Sequence, residues 1–525
     1  MFGPLPATGQ GTFMMFDYVI VGAGAAGCVL ANRLSADPAV NVLVVEDGGQ
    51  GSHPLLSVPR AFFFTLRSDR WTRRYPAGTA GEVWIRGRGL GGSTLVNGMM
   101  YVRGAAADFD AIEGAGNPGW GSGAFEQAYR AIEGPLGVSI PGDGDEVTAA
   151  LFAAATATGL RRATNFNDGD DERIGFTPAT IRHGRRVSAA SAFLAPIRRR
   201  PNLTVMTGAR AERVRLEHGR AVGVVVRRGR RVLDVSVRRE VLVAAGAIES
   251  PLLLERSGIG DPAVLRAAGI TPVVVSPNVG ERVIEQRAVS IQVQFRGRHG
   301  PTESLNTFPR QLMGGARYLL TRRGPIASSG YDVVSAFRSA PDLQRPDVQG
   351  VWVPMAIDES SEQMRLASYS GLLFTGYAIR PTTAGSVHSR SASAYDDPLV
   401  APHYLEHDAE RAATGAILAH ARRVLAQKPL ADLIAGEVFP GPAVVSPSDV
   451  IEYSRAHGGG IYHAVGSCAM GPRDDDVVDA ELHVRGVAGL RVVDASVLPF
   501  HVSGNPAAPV MALAWLAAER IISSR

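Results

Sequence analysis

Gly22, Gly24, Gly27 and Glu46 are spaced for one piece of chemistry, the binding of a dinucleotide. The apolar run Asp17-Tyr-Val-Ile-Val21 enters the glycines in the pattern G-x-G-x-x-G. A helical pattern follows through Leu30, Ala31 and Leu34, and a second apolar run, Val42-Leu-Val-Val45, ends on Glu46. Gly22 permits a tight turn, Gly24 lets a pyrophosphate approach the backbone, and Gly27 lets helix and strand pack closely. The helix start at Ala25 and Ala26 offers free N–H groups and a positive dipole end to the phosphates. Glu46, nineteen residues past Gly27, is placed to accept hydrogen bonds from both ribose hydroxyls of an adenosine, which disfavours a 2′-phosphate. Glycines, both strands and the acid together predict an adenine dinucleotide site.

A chain of 525 residues exceeds what one core holds, so two domains are expected. Hydrophobic residues make up 45% and charged residues 20%, with a formal charge of +4, as in ordinary soluble proteins. Lys428 is the only lysine; the arginine, alanine and glycine content resembles that of a GC-rich bacterial genome. The runs Arg198-Arg-Arg200 and Arg227-Arg-Gly-Arg-Arg231 lack interleaved aromatics. They predict solvated loops and hairpin ends, and no nucleic-acid partner. Cys28 and Cys468 are the only cysteines, too few for a disulfide framework, and no His/Asp/Glu cluster has metal-ligand spacing. The first 13 residues carry no Lys or Arg and no apolar core segment, so they do not read as a secretory signal, and no run predicts a membrane span. A cytoplasmic protein is expected.

Along the chain, a flexible arm precedes a strand beginning near Phe16. Helices are predicted over 124–133 and 149–159, the second stopping at Gly159. The loop Gly142-Asp-Gly-Asp145 between them matches neither an EF-hand nor a P-loop. Alternation over 203–243 predicts a meander of short antiparallel strands, ending in a buried strand that enters the Gly246 turn. More β pattern fills 286–400, and α/β pattern returns with a strand over 490–494 and a final helix from about Ala508. The fold class is α/β: a discontinuous Rossmann-like domain with a β-rich α+β domain inserted.

The chain then resembles, over most of its length, the glucose–methanol–choline family of FAD-dependent oxidoreductases. Gly87-Arg88-Gly-Leu-Gly91-Gly92-Ser93-Thr-Leu-Val-Asn97-Gly98, continuing to Asp110, is similar to the family's first block, and Gly246-Ala-Ile-Glu-Ser-Pro251 through Gly260 to its second. Asn165-Phe-Asn-Asp168, Ser188 to Leu194 and Asp494-Ala495-Ser match further blocks. The resemblance implies an FAD-binding domain over 13–285, including some substrate-domain excursions, and 456–525, with a substrate domain over 286–455. It implies FAD contacts from Arg88, Gly91, Gly92, Ser93, Asn97, Gly98, Ala245, Asp494, Ala495 and Pro506, with Val214 meeting the adenine. Glycines 91 and 92 lack side chains, so backbone there can pass close to a flat ring. Relatives that attach FAD covalently do so through a histidine where this chain has Val96, so non-covalent FAD is predicted. Where relatives carry Asp-His, this chain has Glu285-Gln286, which puts contacts on that side of the flavin in doubt.

Oxidising an alcohol requires a base for the hydroxyl proton and a hydride acceptor, flavin N5. By the same resemblance, His463 in Tyr462-His-Ala-Val-Gly-Ser is the base and Asn505 in Ser503-Gly-Asn-Pro506 holds the substrate oxygen. The start of the final helix after Pro506 would aim N–H groups at the flavin. His501 competes as base, and His457 beside three glycines reads as loop. Tyr331, Trp352, Met355, Phe374 and Tyr377 are substrate candidates, an aromatic at such spacing being more often core. The partners implied are a small-molecule alcohol and O₂ or another electron acceptor. A hydroxynitrile-lyase type reaction, using the same histidine without net redox, remains an alternative, as does a non-catalytic flavin protein.

Overall fold

The computed structural model describes residues 14–78, 81–141, 144–358 and 365–524. The arm before residue 14 and part of the Gly142–Asp145 loop lie outside them.

Two seven-stranded sheets organise the chain. The first runs Leu203–Thr207, Val42–Glu46, Met14–Val21, Arg231–Val243, Arg220–Arg228, Arg210–Glu217, with Leu490–Val492 added beside Arg231–Val243. Its centre is parallel: Val21 lies opposite Val45 and Val243, and Val243 opposite Val492. These strands are near-continuous Val, Ile and Leu, as burial on both faces demands. The Arg231–Val243 strand joins this parallel core by its end and an antiparallel meander by its start. The expected meander over 203–243 is therefore corrected at one end, because Leu203–Thr207 pairs parallel with Val42–Glu46. The arginine run at 227–231 turns the hairpin whose last pair is Arg228 with Arg231.

The helix Ala25–Leu34 follows the glycine turn and packs on the final helix, Ala507–Ser523. Gly27 is required by contact: a Cβ there would stand 1.9 Å from the Gly22 carbonyl oxygen. Gly22 itself has φ +101°, open to glycine at little cost.

The second sheet is mostly antiparallel, in the order Ile434–Phe439, Ala288–Phe295, Gly371–Ala378, Val348–Val353, Val333–Phe337, Arg173–Phe176, Arg161–Ala163. Its last two strands come from ahead of residue 286, inside the stretch assigned to the FAD domain. Helices Glu146–Ala157 and Asp408–Leu425 cover one face. Strand alternation decides which residues look the other way. Trp352 and Phe374 point into the helix-covered core, their rings 4.3 Å apart. They are thereby removed from the substrate candidates, while their neighbours Val351, Val353, Leu373 and Thr375 face the opposite side.

Replacing Gly27 with valine should cost about 1–3 kcal/mol or more through overpacking. A lowered Tm, with weakened dinucleotide retention, is the expected readout; an unchanged Tm would contradict the packing described.

Candidate active site

A cavity of about 660 Å³ lies between the sheets. Its wall takes in Gly22, Gly24, Ala25, Ala26 and Glu46 from the first βαβ unit, and Arg88, Gly92, Ser93, Asn97 and Gly98 from the glycine-rich loop. Ala245, Asp494, Ala495, His463, Asn505 and Pro506 complete the residues expected there. Three others stand outside the wall. Gly27 is occupied with packing, and Gly91 serves the turn with φ +110°. Val214 is buried in the first sheet, where its N–H donates to Ser257 Oγ at 2.8 Å. The expected adenine contact at Val214 is corrected, since Ala209, Arg210 and Ala211 line the cavity at the start of that strand.

Two acids have a tighter structural role than the sequence suggested. Glu46 Oε1 accepts from the N–H groups of Gly48 (2.8 Å) and Gly89 (2.9 Å), and Oε2 from Ala23 (2.9 Å). Of about four acceptor sites on a carboxylate, one remains for a ribose hydroxyl rather than two. Asp494 is fully engaged: Oδ2 accepts from Gly246 N and Ser250 Oγ, Oδ1 from Ser496 N and Oγ. Asp494 fastens three elements under the cavity, and its side chain has no acceptor site left over for a ligand hydroxyl.

The wall fits a dinucleotide on independent grounds. The helices Ala25–Leu34 and Ala507–Ser523 both begin at the cavity with no side-chain cap and no acid in the first turn. Their orphan N–H groups and dipole ends suit a phosphate and an electron-rich ring. At Gly92 a Cβ would stand 2.7 Å from Gly24 Cα, so any side chain there would wedge the two loops apart.

His463 and Asn505 are held by a directed chain of hydrogen bonds. Gln286 Nε2 donates to the carbonyl of Ile379 at 3.1 Å, which places Gln286 Oε1 against His463 Nδ1 at 2.7 Å. Since a backbone carbonyl can only accept, Nδ1 must carry the proton and Nε2 the lone pair. Asn505 Nδ2 donates to that Nε2 at 3.1 Å, and Asn505 Oδ1 accepts from Gln349 Nε2 at 3.1 Å. Gln349 also donates to the Tyr377 hydroxyl. Burial, then the nearby His501 and Arg86, holds the His463 pKa well below that of a free imidazole, so the ring is neutral at neutral pH.

Beneath this chain lies Glu285, buried and accepting from the N–H groups of His463 (2.8 Å), Gln286 (2.9 Å) and Ala464 (3.0 Å). Burial pushes its pKa up to about 7, against the pull of Arg86 and these donors. Tyr462, immediately before His463, has φ +67°, a left-handed backbone that turns the histidine inward. Asn97 accepts from Met99 N and from Arg186, whose pKa burial lowers to about 9. Arg186 and Gln349 carry no motif and were not singled out from sequence. His501 is buried outside the cavity wall, with its pKa lowered to about 4 by burial, and does not compete as base. His457 ends a helix at the cavity rim rather than lying in a loop. Tyr331, Met355 and Tyr377 do line the cavity. Among the described residues no group of three His, Cys, Asp or Glu is placed to hold a metal.

A family model of GMC oxidoreductases matches residues 16–287 with its N-terminal part and 381–514 with its C-terminal part. The chain belongs to the GMC oxidoreductase family. It is 32% identical to an alcohol dehydrogenase (acceptor) from Pseudomonas putida, over 97% of this chain and 96% of the relative. An oxygen-dependent choline dehydrogenase from Rhizobium johnstonii is 33% identical, over 98% and 96%. The solved pyridoxine 4-oxidase from Mesorbium loti superposes with a TM-score of 0.86 at 28% identity, covering 97% of this chain and 99% of that one. The GMC chain described here is accordingly an FAD-dependent oxidoreductase acting on CH–OH donors.

If His463 is the base, activity should fall only below the normal imidazole range, since burial lowers its pKa. Gln286→Glu puts a charge on Nδ1–H and should move the acidic limb of the kcat/KM profile up by about one to three pH units. Gln286→Leu, which frees the tautomer, should lower kcat about tenfold, the worth of one lost hydrogen bond. A limb that stays fixed in Gln286→Glu would separate Gln286 from the base.

Proposed function

We propose that the chain oxidises an alcohol to an aldehyde or ketone, with His463 as base, Asn505 as the group that holds the substrate oxygen, and FAD bound without a covalent link. The observation that carries this reading is the His463 lone pair, fixed by Gln286 and directed beside Asn505 on the wall of a cavity built for a dinucleotide.

Bound FAD would supply the acceptor for the carbinol hydride. The chain's own residues do the rest. A hydroxyl entering between His463 Nε2 and Asn505 Nδ2 accepts from the amide and donates to the ring, replacing the contact those two atoms make with each other. His463 takes the proton as the carbinol carbon is oxidised, and Asn505 steadies the oxygen without competing as a base. Gln286 keeps Nδ1–H donated, so the imidazolium formed retains a bond on each side. Tyr331, Met355, Leu373 and Tyr377 give the substrate end an apolar wall, relieved by the Ser290 and Thr375 hydroxyls 2.9 Å apart. The substrate is a small alcohol, and O₂ or another carrier collects the electrons.

Val96 lines the cavity where a covalent tether would start, and a valine offers no nucleophile. With both cysteines buried and free, a reducing, cytoplasmic setting suits the protein. Among the described residues no helix is long and apolar enough to cross a membrane.

Anaerobic titration of the flavoprotein with primary, benzylic, sugar and sterol alcohols should bleach the flavin band with one class. His463→Ala should slow that bleaching by about 10²–10⁴-fold with the flavin still bound. A band that no alcohol bleaches would shift the reading to a lyase. Acid precipitation should leave all the flavin in the supernatant; flavin in the pellet would disprove non-covalent binding.

A further inference from the structure

An amphipathic helix ordinarily turns its apolar stripe to the protein body. The Phe308–Thr321 helix does the reverse. Only Tyr318 among its residues is buried, whereas Phe308, Leu312, Met313, Leu319 and Leu320 are 77%, 65%, 65%, 66% and 85% exposed. At about 100° per residue these five, with Ala316 among them, share one arc of about 140°. The opposite side of the helix holds Gly314, facing Leu305 and Ile326, and Tyr318, whose hydroxyl donates to the Gly184 carbonyl at 2.9 Å. The helix is thus anchored by one edge with its apolar face outward. An exposed patch of this kind marks a docking surface.

Its surroundings are basic. Residues 296–323 contain Arg296, Arg298, Arg310, Arg317, Arg322 and Arg323 against one acid, Glu303. That acid is already shared by Arg310 at 2.8 Å and Arg298 at 3.6 Å. A two-fold pairing of this face with a second copy would set arginines against arginines. An anionic lipid surface offers apolar depth under a layer of negative charge and matches both features at once. We propose that this helix lies in the headgroup layer of an anionic bilayer, apolar face down, with its arginines on lipid phosphates.

The docked face is mechanically joined to the cavity. The turn Pro325–Ala327 that follows the helix packs on the turn Pro59–Ala61, and Arg60 donates to Ser328 Oγ at 2.6 Å. Phe62, Phe63 and Tyr331, which flank this junction in sequence, line the cavity, and Phe64 between them is 72% exposed. Docking would therefore seat the wall of the alcohol site close to the bilayer.

The purified flavoprotein can be sedimented with vesicles of phosphatidylglycerol mixed with phosphatidylcholine, and with phosphatidylcholine alone, while light scattering gives its mass. A monomer should partition onto the anionic vesicles about tenfold or more above the neutral ones and be released by salt. Leu319→Ser/Leu320→Ser, and separately Arg317→Glu/Arg323→Glu, should each cut that partitioning about tenfold with Tm and flavin absorbance unchanged. The proposal is overturned if the parent protein stays in the supernatant with both vesicles, or if both double variants bind as well as the parent. A dimer that the leucine substitutions split would also overturn it, assigning the face to a second copy.

Discussion

A backbone carbonyl sets the proton inventory of the active site. Ile379 can offer only lone pairs, so the Gln286 amide must present its N–H₂ to it and its oxygen to His463. From that point every role is forced: Nδ1 donates, Nε2 accepts, and Asn505 donates to Nε2 and accepts from Gln349. A titratable partner at residue 286 would carry its own proton into this chain and couple it to His463. Glutamine gives the same geometric control with no charge to add. Burial then acts unopposed on His463 and keeps it neutral, the state that the proposed base role requires.

The members of this chain come from distant parts of the sequence. Gln286 leaves the first domain, Gln349 and Tyr377 belong to the second sheet, Ile379 follows it directly, and His463 and Asn505 arrive with the C-terminal return. The His463 ring is therefore oriented by residues of both domains at once. Glu285 supplies the fixed end. Three backbone N–H groups converge on one buried carboxylate, which makes the turn around His463 expensive to deform. A discontinuous domain thus lets the dinucleotide sheet stay rigid while a separate sheet supplies both the substrate wall and half the proton chain.

Local geometry was legible from sequence wherever a residue type answers to backbone shape. Glycine at 22, 27 and 92 is demanded by turns and contacts between neighbouring loops, and motifs record such demands. His463 and Asn505 were legible because they sit in motif blocks that carry them onto one wall. Legibility stopped where pairing crosses the chain. Trp352 and Phe374 could be told from the cavity-facing candidates only in the fold, because strand parity, not aromatic character, decides which face a residue serves. Val214 failed for a related reason: the cavity meets its strand at Ala211, three residues earlier, near the start of the strand. Arg186 and Gln349 matter through one hydrogen bond each to an asparagine, and neither leaves a trace in spacing or periodicity.

Glu46 and Asp494, two of the acids on the cavity wall, show how a site for a polyanion can tolerate such groups. Glu46 and Asp494 would repel a pyrophosphate if their charge were free. Instead seven N–H and O–H donors close on them, and each carboxylate is spent fastening loops together. The two helix starts at Ala25 and Ala507 carry no side-chain cap and no acid in their first turns. The electrostatics of the wall are thereby inverted locally: the negative groups are screened by backbone, and the positive ends of two helices are left open to the cavity. Holding the acids in place and exposing the helix ends are one arrangement, because the Ala23 N–H that binds Glu46 lies in the turn that launches the first helix, and Asp494 ties the strand end to the turn at Gly246.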